Sequence, residues 1–87
     1  MKRDEFIKIF EESDGGLLHK LNDCNVFVGL QVIREYIPNA GIEGANHDII
    51  YSVDIDKLIK AGIHRKDAEY LGKINWMIEE DSMACYV

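Results

Sequence analysis

The sequence predicts an α+β fold: about four helices and a small, largely antiparallel sheet of about three strands, including a C-terminal hairpin. Three observations predict it. Apolar residues recur at helical spacing in four separate segments. β-Branched and aromatic residues gather at residues 47–52 and in two short runs at the C-terminal end. Glycine, proline and capping residues punctuate the chain between these segments. The 87 residues are expected to form one compact domain, with no internal repeat and no linker. An apolar fraction of 47% suits a packed core.

The first helix is expected over residues 4–13. Phe6, Ile7 and Phe10 share a face, and Asp4 and Glu5 place negative charge in the first turn. Ser13, Asp14, Gly15 and Gly16 end it, and a further helical turn is expected at residues 17–21. The second helix starts at Asp23 or Asn25, either of which can cap it. Val26, Phe27, Leu30, Ile33 and Ile37 form its apolar stripe, while Gln31, Arg34 and Glu35 face water. Pro38 stops it, and Asn39, Ala40 and Gly41 turn the chain. Gly29 costs the helix about 1 kcal/mol relative to Ala, and its expected use is the close approach of a neighbouring element.

A loop with Gly41 and Gly44 leads into a strand at residues 47–52. Asp54 then reads as an N-cap, with Val53 and Leu58 placed as a hydrophobic staple. Ile55, Leu58 and Ile59 are the buried stripe, and Gly62 suits the position after the helix. In the fourth helix Asp67 follows His64 at capping-box spacing, and Ala68, Leu71 and Ile74 face inward. The runs Trp76-Met77-Ile78 and residues 83–87, around a polar turn, form the hairpin. The connection from the first strand through two helices to Trp76 can be parallel or antiparallel.

Ten basic residues against sixteen acidic ones give a net charge of −6. Such a surface repels nucleic acid, and the longest basic cluster is only His64-Arg65-Lys66. Residues 54–74 have the outline of a helix-turn-helix, but Asp67 and Glu69 offset Arg65, Lys66 and Lys73, so they read as a structural hairpin. There is no apolar run of membrane length and no signal-peptide pattern, so cytoplasmic residence is expected. Cys24 and Cys85 read as reduced, buried small residues.

No dinucleotide fingerprint, Walker loop or nucleophile elbow is present. His47-Asp48 is the weak metal candidate. Metal-dependent phosphohydrolases use such a pair, but they need further His and Asp ligands, and only His19 and His64 remain here. A set of His19, Cys24, His47 and Cys85 lacks zinc-site spacing. The expectation is therefore a non-enzymatic protein with no catalytic residue and no cofactor, working through protein–protein contact. Glu79, Glu80, Asp81, Asp54 and Asp56 would face a basic partner surface, and Tyr51, Trp76 and Tyr86 would be its anchors. The alternative is a small-ligand or metal-binding domain using the loop of residues 41–48, with His47. A homodimer is expected to cover an unpaired sheet edge at residues 83–87.

The second half carries His47-Asp48-Ile49-Ile50-Tyr51, Asp54 and Leu58, Ala61-Gly62-Ile63, Asp67-Ala68 and Leu71, Asn75-Trp76, and a closing Tyr86-Val87. This pattern resembles one seen in small uncharacterised proteins of bacteria and their phages. The resemblance covers about half the chain and implies a compact domain of mobile-element origin. It further implies an inhibitor of a host enzyme or defence complex, and it carries over no catalytic residue.

Overall fold

The computed structural model describes residues 1–13 and 25–86. The turn expected at residues 17–21, and His19, Asp23 and Cys24, lie outside the described residues. Among the described residues no helix is long and apolar enough to cross a membrane.

Helix α1 (Arg3–Glu11) buries Phe6 and Ile9 and half-buries Phe10, whose ring tilts against Phe6 at 5.0 Å between centroids. Helix α2 (Asn25–Tyr36) buries Val26, Gly29 and Ile33. Phe27, expected in its apolar stripe, is instead 61% exposed. The contact line runs through Gly29, which lets the helix approach the sheet along positions 26, 29 and 33. That choice rotates Phe27, one position and 100° away from Val26, toward the outside.

Among the described residues the sheet has four strands, one more than the sequence predicts: β1 (Gly44–Asn46), β2 (Ile49–Asp54), β3 (Trp76–Glu79) and β4 (Ser82–Tyr86). The order is β1-β2-β4-β3, and every neighbouring pair is antiparallel. The unforeseen strand is β1. Gly, Ala and Asn are poor strand formers, so pairing creates it: Asn46 faces Ile49 across the two-residue turn of His47 and Asp48. His47 accordingly turns the chain, at φ 56°, rather than opening a strand.

The edge expected at residues 83–87 is not found among the described residues of that run. β4 lies inside the sheet, paired on both sides, because Met83, Ala84 and Cys85 are fully buried and need neighbours on each flank. The edges are β1 and β3. β2 and β3 point the same way with β4 between them, and helices α3 (Ile55–Lys60) and α4 (Arg65–Lys73) make the crossover.

The helices pack on one face of the sheet. Ile50, Met83, Cys85 and Trp76 join Phe6, Ile33, Ile55, Leu58 and Leu71 in a single core. Trp76 is 3% exposed and its indole N–H donates to the Asn25 carbonyl at 2.9 Å. A Cβ on Gly29 would overlap that indole, which fulfils the close approach read from the glycine.

The α3 ends follow their sequence signals. The Asp54 carboxylate accepts from the Asp56 N–H at 2.8 Å. At the other end Gly62, at φ 87°, donates to the Ile59 carbonyl, and the Ile63 N–H reaches back to Leu58. Those two bonds form a Schellman cap. The α4 cap differs from expectation. The Asp67 carboxylate does not reach the His64 N–H directly. The Tyr36 hydroxyl stands between them, accepting from the His64 N–H at 3.2 Å and donating to Asp67. Burial, followed by the bond to Asp67, raises the Tyr36 pKa above its ordinary value.

Candidate functional site

Strand alternation gives the sheet a second face, turned away from the helices. The pairings place Gly44, Tyr51, Ala84 and Met77 side by side across all four strands. The next row is Asn46, Ile49 and Tyr86. Ala84 is fully buried, as a small residue between the larger Tyr51 and Met77. Ile49, Tyr51 and Met77 are half-buried, and Tyr86 is 57% exposed. This face is thus apolar and aromatic at its centre.

One end of it is acidic. Asp54, Ser82 and Glu79 form a third row, made possible by a bulge in β2 between Tyr51 and Asp54. Glu80 and Asp81 form the β3–β4 turn with φ values of 51° and 64°. Left-handed backbone at both positions is the geometry of a type I′ turn, which favours Asn-Gly. The Ile55 N–H donates to the Asp81 carbonyl at 2.9 Å and holds this turn in place.

The five predicted acids divide into two sets. Asp54 is committed to its helix cap. Asp56 and Asp81 both bind the Arg3 guanidinium, at 2.6 Å for Asp56. The bond to Asp56, with a smaller contribution from Asp81, raises the Arg3 pKa further above its usual value. Glu79 and Glu80 are exposed and make no ion pair among the described residues. Of the predicted anchors, Tyr51 and Tyr86 stand on the open face. Trp76 does not; it is core, and it offers a partner no surface.

A shallow depression of about 440 Å³ joins these elements beside Tyr51. Glu43, Asn46, Glu80 and Ser82 help to line it, as does Ser52, whose hydroxyl donates to the Gly41 carbonyl at 2.7 Å. Glu43 was not singled out from the sequence. Its place follows from β1: the Glu43 N–H continues the ladder to the Tyr51 carbonyl at 2.8 Å, so missing the strand meant missing the residue.

His47 and Asp48 are exposed in the β1–β2 turn and do not line the depression. Among the described residues no three His, Cys, Asp or Glu side chains converge to hold a metal ion. Cys85 is buried in the core. The arrangement offers aromatic contact area and carboxylates that make no ion pair among the described residues. No family model, curated protein or solved structure matches the chain.

Proposed function

We propose that the chain is a non-enzymatic binding protein that docks its open sheet face on a basic surface of a partner protein in the cytoplasm. Its sharpest form is a phage-type inhibitor of a host enzyme or defence complex. One observation carries the reading: Tyr51 and Tyr86 stand on the sheet face that none of the described helices covers, and Glu79, Glu80 and Glu43, which make no ion pair among the described residues, lie toward its Tyr51 end. Aromatic side chains are the usual anchors of protein interfaces. Unpaired carboxylates beside them attract and orient a cationic partner. Net charge of −6 opposes direct binding to nucleic acid.

The test is comparative capture from a bacterial host lysate at low salt. Wild type is expected to retain a partner that Y51A/Y86A and E79Q/E80Q lose, with the retained complex dissociating as salt rises. Equal retention by all three proteins overturns the assignment of this face. A wild-type protein that retains nothing specific overturns the binding reading.

A second reading, small-ligand or metal binding at residues 41–48, has one support. The depression beside Tyr51 includes Gly44 and Asn46 of that loop. A thermal-shift screen with elemental analysis separates the readings. A metal near one equivalent, lost in His47→Ala, would favour the second.

A further inference from the structure

We infer that the groove between α1 and β3 binds an extended, basic segment of the partner by adding it to the sheet as a fifth strand. This rests on the binding reading above and specifies its mode.

β3 is an edge strand. Its turn with β4 has two residues, flanked by Glu79 opposite Ser82. In a type I′ hairpin that flanking pair exchanges both backbone bonds, and alternate pairs follow suit. Glu79 and Met77 therefore spend their N–H and C=O groups on β4. Trp76 and Ile78 point theirs outward, and among the described residues no hydrogen bond reaches the outward groups of Ile78.

Among the described residues the edge also carries little defence: no Lys, no Pro, no bulge, and a single charged residue, Glu79, at its end. Proteins blunt exposed edges with Lys, Pro, a bulge or a very short strand. β3 reads Trp-Met-Ile-Glu and pairs with β4 without a register shift. The opposite edge, β1, has only three residues.

Beside the β3 edge lies a groove of about 250 Å³, lined by Ile7 and Phe10 of α1, Met77 and Ile78 of β3, and Glu11. A strand seated on the edge would send alternate side chains into this apolar groove and the others toward the open face near Met77 and Tyr86. Charge selects the occupant. Glu11 lies on the groove and Glu79 at the end of the strand, and neither makes an ion pair among the described residues. A second copy paired symmetrically would bring the same acids against each other. A segment alternating Lys or Arg with Val, Ile or Leu would neutralise them instead.

A displayed library of random octapeptides, selected against the full chain, tests this. Enriched peptides are expected to alternate basic and aliphatic residues. A synthetic copy should move the amide resonances of Ile78 and Trp76 most, with Ile7 and Phe10 following, and should slow hydrogen exchange at the Ile78 N–H. N-Methylation of the peptide amides facing β3 should weaken binding at least tenfold, a loss of about 1.4 kcal/mol, while methylation of the intervening amides should not. Shifts centred on Tyr51 and Glu80 would sink the added strand while leaving the binding reading intact. So would equal sensitivity to both methylation patterns. Failure to enrich any peptide overturns the inference, as does a scattering mass of two chains with the Ile78 amide already protected.

Discussion

Gly29 of α2 lies directly over the indole of Trp76, close enough that no side chain fits between them. The contact joins the second helix to the sheet, and the indole N–H bond to Asn25 closes the same approach from the helix N-terminus. Gly29→Ala should therefore destabilise the fold, although Ala is the better helix former by about 1 kcal/mol. Overpacking costs about 1–3 kcal/mol, and displacing the indole leaves a buried N–H unpaired for about 1–3 kcal/mol more. A net loss of about 1–5 kcal/mol is expected in urea unfolding, with a change in Trp76 fluorescence. An unchanged midpoint would show that the helix shifts freely.

The Tyr36 hydroxyl links the start of α4 to the end of α2. Tyr36→Phe should cost about 1–2 kcal/mol, since it strips a hydrogen bond from the Asp67 carboxylate and one from the His64 N–H. The folded-state pKa of Tyr36 is raised, so the native state holds this proton more tightly than the unfolded chain. Its contribution is complete below the ordinary tyrosine pKa of about 10 and is lost as pH rises through the folded value. Wild type should lose stability above about pH 10 more steeply than the Phe variant, as measured by denaturation midpoints against pH.

Local signals were legible in the sequence wherever local chemistry decides the structure. Asp54 and Gly62 bracket α3 because a carboxylate cap and a left-handed glycine act within a few residues. The closing hairpin was equally plain. What escaped detection depends on partners distant in sequence. Gly44–Asn46 is a strand only because β2 lies beside it. Residues 83–87 read as an edge because the chain's order does not reveal that β4 inserts between β2 and β3. The Tyr36–His64–Asp67 link spans 31 residues and has no local pattern. Of the candidate site, Tyr51, Tyr86, Glu79 and Glu80 were legible in the sequence, yet only the fold shows that Trp76 faces the core and that Arg3 of α1 engages Asp56 of α3 and Asp81 of the β3–β4 turn.

Arg3 offers a separate handle on the acidic end. Its ion pairs are exposed, so Arg3→Ala should leave the thermal midpoint nearly unchanged. It releases the carboxylates of Asp56 and Asp81, which strengthens the local negative field. If that end steers a basic partner, the variant should associate faster than wild type at low ionic strength. The difference should vanish near 1 M salt, where the screening length falls to about 3 Å. Stopped-flow mixing at two salt concentrations measures it, and identical rates at low salt would count against steering.

Glu80 sits where a left-handed backbone disfavours it. At φ 51°, a non-glycine, non-asparagine residue bears a strain of about 1 kcal/mol. Among the described residues its side chain makes no ion pair that would offset this. Glu80→Asn should stabilise the fold by about 0.5–1 kcal/mol, because Asn tolerates the first position of a type I′ turn. The same substitution removes a carboxylate from the rim of the depression beside Tyr51. A binding role predicts opposite signs in two measurements: a higher unfolding midpoint and weaker partner retention. If Glu80→Asn raises the midpoint and retention stays the same, the strained glutamate is not held for binding, and the acidic contact must rest on Glu79 and Glu43.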